Sequence, residues 1–534
     1  MRRSALVMGM ALVGVLVTGA VVADDLRTRE AIRQALHGDA DLVALYAPGD
    51  AAPLWLDAQG TLQLAGIDAL RVLSSSADEG LTPGDYGIDP LRTWVQASAA
   101  SPDADTIARA DVALSRATLR YLRDLHMGRI DPRAVGFVLD VPRDGHDFPQ
   151  LLRDAVERRQ IVDTARVWTP RDPQYPALRV ALSRYRALAA TEIAVSLSFT
   201  RSVHPGERYP SLAAVFARLQ WLGDAEAGAD GPTGDVYEGA VVEAVRRFQR
   251  RHGLTADGVL GKQTIAALAV PMTIRVRQLE LAMERLRWLP HEAASRLLLV
   301  NIPMFRLFAW DTIPPAGAPA FSTGVIVGRA WRTRTPVFAA NLAEIIYRPF
   351  WNVPTSILRT EILPKLATDP GYLQREQMEL VAGQGDQSPV VAPTPENLAR
   401  LRTGTVRLRQ RPGPANALGL IKFSFPNEND VYMHGTPARA LFARSRRDFS
   451  HGCVRVEDAL GLAEWVLQGQ PGWDRAHITS AMQAGASSRI AVRAPVRVML
   501  LYSTAAVLLE SGDVAFADDI YGHDARLARA LLER

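Results

Sequence analysis

The chain has 534 residues, 48% of them hydrophobic, with a net charge of only +4 and one cysteine, Cys453. Such a length suits about three domains, and a lone thiol excludes a disulfide within the chain. The isoelectric point of 9.3 favours an anionic partner, yet no Lys/Arg-rich aromatic patch or nucleic-acid motif stands out, so no nucleic acid is expected.

Arg2 and Arg3 precede an apolar run from Ala5 to Ala20 that closes on Val21-Val22-Ala23. Residues 1–23 therefore read as a secretory signal peptide cleaved after Ala23. The alternative is an uncleaved N-terminal anchor attached to the inner membrane, since the run approaches the span of about 20 residues that crosses a bilayer. Both place the bulk of the chain outside the cytoplasm. No cysteine follows the run to carry a lipid.

Residues 24–200 show apolar spacings of three and four, as in "ARADVALSRATLRYLRDLH", broken by "GLTPGDYGIDP" and "GRIDPRAVG". They form a helical N-terminal scaffold domain without a catalytic constellation. Asp124, His126 and Asp131 are better explained by a solvated helix end than as ligands.

Residues 209–271 read as a small module of three helices. Leu212, Val215, Phe216 and Leu219 share one helical face, and Val241, Val245 and Phe248 another. Gly258 and Gly261 supply a tight turn before a third helix starting near Thr264. The string "AVRRFQRRHGLTADGVLGKQTIAAL" resembles the three-helix peptidoglycan-binding domain, a likeness that implies a polymer and no reaction.

From residue 297 to 517 the pattern changes to short β-branched and aromatic runs separated by Gly, Pro and Asn, the mark of a mixed or antiparallel sheet. Between about 356 and 405 it lapses into polar, helical sequence. A helical capping insertion is expected there, and insertions beside a site often act as lids. Residues 518–534 close the chain as a C-terminal helix. The expected fold is thus α+β and multidomain.

Cys453 lies in "DFSHGCVRVEDA". Ser450, His451, Gly452 and Arg455 around it are polar or small, which favours an activated thiol over a buried inert one. A cysteine nucleophile needs a base and donors for the oxyanion it creates. His434 stands 19 residues upstream, at the end of "VYMH", and His451 two residues upstream; spacing alone does not choose between them.

The string "HGTPARALFARSRRDFSHGCVRVEDA" resembles the H-G-T…S-H-G-C-x-R signature of the L,D-transpeptidase (YkuD-type) catalytic domain. The likeness extends through "VNIP", "VGRAWRTRTPVF", "WNVP", "RPGPANALGLIKFSFPN" and "DIYG". On this resemblance the chain is similar to the large multidomain branch of the family, which is periplasmic. It implies Cys453 as nucleophile, His434 as base oriented by the Gly435 carbonyl, and an oxyanion hole from the Gly452 and Cys453 N–H groups. His451 then shapes the pocket, and Ser450 completes the motif. Arg455 either holds a substrate carboxylate or pairs with Asp448, Glu457 or Asp458. Tyr432 shares a strand face with His434 and lines the pocket; Trp351 and Asn352 in "FWNVP" are further wall candidates, with core packing as the alternative for Trp351.

The implied reaction acts on peptidoglycan tetrapeptide stems and forms 3→3 cross-links through a thioester, with no cofactor or metal. Carbapenem β-lactams are implied as covalent inhibitors acting on a thiol of lowered pKa. Two alternatives stay open: an L,D-carboxypeptidase or peptidase that resolves the same acyl-enzyme with water, including release of wall-linked lipoprotein, and a non-catalytic wall-binding scaffold.

Overall fold

The computed structural model describes residues 25–534 except 37, 140–144, 193–196, 198, 227, 290–295, 313–316, 331 and 384. The signal peptide or anchor expected over residues 1–23 lies outside the described residues. Among those residues, no helix is long and apolar enough to cross a membrane.

The N-terminal region is helical. Its longest helix, Ala104–Met127, starts at a capping box in which Asp103 accepts from the Thr106 N–H, and stops at Gly128. It buries Ile107, Leu114, Leu119, Leu122 and Leu125 against Ile32, Leu42, Trp55 and Leu73 of shorter helices and loops. Asp124 and His126 belong to this packing and Asp131 to a cap. Asp124 is buried against the Tyr86 hydroxyl (3.1 Å) and Arg534 (2.5 Å), His126 packs edge-on against His146 and Trp168, and Asp131 caps a short 3-10 turn.

Three helices, Leu212–Leu222, Ala240–Arg251 and Lys262–Leu268, follow. Gln249 explains the Phe-Gln and Asp-Gly elements of this stretch. Its buried amide donates to Asp257 Oδ1 (3.1 Å) and the Val259 carbonyl (3.0 Å), and accepts from the Gly258 N–H (2.9 Å). Gly258 has φ +75° and its space would clash with a Cβ, which would fall 2.9 Å from Val242 Cγ1. Gly261 is instead an extended cap with φ −83°. The core of this module is shared: its Phe248 and Val245 pack in one cluster with Tyr185, Leu279 and Met283 of two flanking helices and with Val514 and Phe516 of a distant hairpin.

The remainder is mostly β. Strands β1 (Arg296–Asn301), β2 (Arg306–Trp310), β3 (Phe321–Gly328), β4 (Phe338–Asn341), β5 (Glu344–Tyr347) and β6 (Trp351–Asn352) come first. Then follow β7 (Met378–Val381), β8 (Val390–Val391), β9 (Arg407–Gln410), β10 (Ile421–Ser424), β11 (Met433–His434), β12 (Asp448–Ser450) and β13 (Val454–Val456). Strands β14 (Ser488–Ala491), β15 (Val496–Leu501), β16 (Ala505–Leu508) and β17 (Asp513–Phe516) come last. The main sheet runs β14-β5-β10-β11-β13-β3-β2-β1-β15-β4, with β12 beside β3. Its pairing is antiparallel except for β1 with β15, β11 with β13 and β3 with β12. The hairpin β16–β17 leaves this sheet and joins the helical module.

The insertion differs from the all-helical expectation. Its short helices surround a small antiparallel sheet, β6-β9-β7-β8, over a core of Ile357, Ile362, Met378, Leu380, Leu401 and Leu408. "MELVAG" and "TVRLRQ" are too short to advertise strands beside longer polar helical sequence. The helix that enters the insertion widens to a π turn over Leu358–Ile362. Pro364, which lacks an N–H and would clash with the Thr360 carbonyl in a regular helix, accounts for it.

A buried charge cluster ties the helical region to the last helix before β1. Glu284 accepts from the Ile130 N–H (3.1 Å) and from Arg287 (3.0 Å) and Arg129 (3.4 Å), while Arg287 also meets the Tyr175 hydroxyl (2.8 Å). Burial alone would raise the Glu284 pKa, but Arg287, Arg129 and two backbone donors outweigh it and hold it below the carboxylate range. Its stabilising contribution is therefore present at neutral pH and is lost as pH falls through the lowered value. Glu284→Ala, which removes the carboxylate shared by two buried guanidinium groups, should cost about 3–5 kcal/mol, read as a lower urea midpoint for the whole chain.

Candidate active site

Strands β10, β11 and β13 are neighbours, and their register sets Lys422 opposite His434 and His434 beside Arg455. Paired residues share a face of a sheet, so a lysine, a histidine and an arginine stand in one row. Tyr432, two residues before His434, joins them, with its ring centroid 5.6 Å from the imidazole. The Lys422 Nζ sits 3.9 Å from the centre of the Tyr432 ring.

Cys453 directly precedes β13. The Val454 N–H donates to the Tyr432 carbonyl (3.1 Å), which brings the cysteine against Tyr432. Its half-buried Sγ lies 3.9 Å from the Asp430 carbonyl oxygen. The turn ahead of it closes on Ser450, whose hydroxyl donates to the Cys453 carbonyl (2.5 Å) and accepts from the Gly452 N–H (3.1 Å). Gly452 has φ +117°, and a Cβ there would find nothing nearer than 3.8 Å. Backbone conformation, not crowding, demands the glycine.

Residues that the sequence reading quoted without a role hold this turn from outside. Thr333 donates to the Ser450 carbonyl (3.0 Å) and Thr335 to the Gly452 carbonyl (2.8 Å). The Tyr521 hydroxyl donates to the Gly328 carbonyl (2.6 Å) and accepts from the Thr335 N–H (3.2 Å). These are the Thr residues of "RTRTPVF" and the Tyr of "DIYG"; only the fold shows what they grip.

Two expected roles change. The Gly452 N–H, assigned to the oxyanion hole, is engaged by Ser450, whereas the Cys453 N–H has no acceptor among the described residues. Ser450, which the resemblance counts with the substrate-binding residues as it completes the motif, is 2% exposed and closes the turn.

His434 is 5% exposed. Its Nδ1–H donates to the Gly435 carbonyl (2.5 Å), which leaves Nε2 unprotonated. Burial first and Arg455 second, with Lys422 adding, push its pKa down to about 3. Burial pushes the Cys453 thiol up, with Tyr432 and Lys422 opposing it. The lowered thiol pKa expected from the sequence is therefore not the resting state: a neutral thiol and a neutral imidazole occupy the site, because burial penalises the charge on both.

Arg455 has no ion pair among the described residues. Asp448 is held by Arg446 (2.7 Å) and Asp458 caps the helix Ala459–Leu467. The Arg455 Nε is buried without a hydrogen-bond partner, and burial and Arg329 lower its pKa. The structural ion pair, one of the two readings, is not formed among the described residues.

His451 points the other way along the turn, its Nε2 2.6 Å from Glu361 Oε1 on the π turn of the insertion. The insertion thus touches the cysteine loop directly. Trp351 is half-buried on the insertion's own core, the packing alternative, while Asn352 is exposed beside it in β6. Lys422 and Glu361 were missed: each becomes part of the site through strands or helices far apart in sequence. No group of His, Cys, Asp and Glu suited to a metal ion occurs among the described residues.

Residues 295–477 match the L,D-transpeptidase catalytic domain, residues 209–268 the "Putative peptidoglycan binding domain", and residues 40–182 the scaffold domain. A Haemophilus influenzae protein named "Putative L,D-transpeptidase" is 32% identical over 282 residues, which are 51% of this chain and 54% of that protein. The match thus spans about half of either chain. A crystal structure of the L,D-transpeptidase from Xylanimonas cellulosilytica aligns over 57% of this chain and all of its own at 16% identity and a TM-score of 0.18, too slight a likeness to bear on the fold.

With a raised thiol pKa, the reactive thiolate accumulates only as pH climbs. Iodoacetamide labelling of the lone cysteine, followed by intact mass spectrometry, should be slow at neutral pH and rise with a midpoint above about 8.5; a midpoint below that would mean a thiolate at rest.

Proposed function

We propose that the L,D-transpeptidase domain carried by this chain uses Cys453 to acylate itself on a peptidoglycan tetrapeptide stem and passes the acyl group to an amine of a second stem, forming a 3→3 cross-link. The observation that carries the reading is the row of Lys422, His434 and Arg455 beside a half-buried Cys453. Nε2 of His434 takes the Sγ proton as sulfur bonds to the carbonyl carbon of the third stem residue. The bond to the terminal D-alanine nitrogen then breaks, and the proton from His434 goes to that amine. An acceptor amine attacks the thioester, gives its proton back through His434, and the thiol is restored.

The Cys453 N–H supplies an oxyanion donor. Arg455, unpaired and half-buried, takes a stem carboxylate. That docking also bears on the base: Arg455 is one cause of the lowered His434 pKa, so a carboxylate that neutralises it makes the imidazole a better proton acceptor. The wall-binding module, joined to β16–β17 through a shared core, holds the polymer near the site. The chemistry is carried out outside the cytoplasm, in the periplasm, where the stems are exposed.

Incubation with purified wall fragments, followed by mass spectrometry, separates cross-linked dimers from the tripeptides of a hydrolase and from unchanged substrate. Cys453→Ala should abolish every product. His434→Ala should lower the rate at least 10²-fold, the usual size of a general-base contribution, and His451→Ala should cost less; equal losses would leave the base unassigned. A carbapenem should add one drug mass to the peptide carrying Cys453, and a folded protein that forms no adduct at several-fold excess would favour a non-catalytic scaffold.

A further inference from the structure

Lys422 is the one member of the cationic row that neither the sequence motif nor the reaction above employs. It interrupts an apolar strand: Ile421 and Phe423 on either side are buried in the main core, while Lys422 turns to the cleft face with His434. A half-buried ammonium ordinarily has a carboxylate at hand. Lys422 has none within ion-pair distance among the described residues. The acids that act on it, Glu344 and Asp386, are both held by Arg489, at 3.0 and 2.7 Å. Its contact is the Tyr432 ring at 3.9 Å, and Tyr432 in turn bears on the cysteine.

We propose that Lys422 is a positioning residue for the nucleophile: its ammonium, seated on the Tyr432 ring, supplies the positive charge that offsets the sulfur anion when Cys453 loses its proton. The Sγ proton goes to Nε2 of His434; Lys422 keeps its own protons and no bond to it forms or breaks. The groups facing the thiol are Tyr432, Lys422 and Asp430, with Arg455 alongside; those facing Lys422 are Cys453, His434, Tyr432, Arg489, Asp386 and Glu344. After burial, Cys453 is the largest influence on Lys422, and it favours the charged lysine. His434 cannot take this part before the proton arrives, since it is flanked by two cations and is neutral at rest.

The proposal rests on Cys453 being the reactive thiol but not on which wall bond it attacks, so it is tested without substrate. Iodoacetamide labelling of the full chain is measured against pH by intact mass spectrometry, with Cys453→Ala as the blank. Lys422→Met should move the labelling midpoint up by about one pH unit, which makes the rate at pH 8 about tenfold lower, whereas Lys422→Arg should return it to within about threefold of the native rate. Thermal melting of each variant is recorded alongside, and Lys422→Gln replaces the methionine variant if that fails to fold. An unmoved midpoint overturns the proposal. With a lowered melting temperature, it would make Lys422 a mere support for the Tyr432 ring; with a raised KM for wall fragments, it would make Lys422 a substrate contact. Loss of cross-linking with the midpoint shifted as expected supports it, and a shifted midpoint in a protein that makes no cross-links at all would retain the role of Lys422 while rejecting the proposed reaction.

Discussion

The parallel pairing of two very short strands, β11 and β13, is the constraint on which the site depends. It joins segments whose lengths differ little from a single turn, yet it puts the cysteine loop against Tyr432 and aligns His434 with Arg455. With β10 on the far side, the imidazole lies between two cations. A buried histidine flanked by positive charge stays neutral, and the same burial keeps the thiol protonated. The resting centre thus holds a neutral imidazole and a neutral thiol.

Around that pairing the molecule is braced at three levels. Ser450 closes the cysteine turn from inside, Thr333 and Thr335 hold its carbonyls from outside, and Tyr521 ties Thr335 to the end of β3. Glu361 joins the turn to the insertion through His451. Farther away, Arg251, in a buried pair with Asp224 at 2.5 Å, also donates to the Val514 carbonyl of the last hairpin at 3.2 Å. The three-helix module and the last hairpin of the β-rich region are therefore packed against each other and not strung on a linker.

The helical periodicities, the three-helix module, the β-rich region and the cysteine motif were all legible in the sequence, because each rests on local spacing: apolar residues at three and four, β-branched runs between turn residues, and a Ser-His-Gly-Cys string whose residues are neighbours. The sheet inside the insertion was not, since β6 and β8 are two residues long and owe their pairing to partners such as β9, more than 50 residues beyond β6. The core shared by the module and the hairpin β16–β17 was equally hidden, being made by residues that lie far apart in the chain.

The sequence by itself determined which groups could do chemistry here: one thiol, two histidines near it, and a glycine where the backbone needs a positive φ. Only the tertiary structure decided how those groups are charged and which of them are free. The Gly452 N–H is engaged because Ser450 folds back on it; Asp448 and Asp458 are closed to Arg455 because Arg446 and a helix cap occupy them; Lys422 enters because β10 lies beside β11. Proton affinity follows from burial and from neighbours in space, and neither is written in the order of residues along a chain.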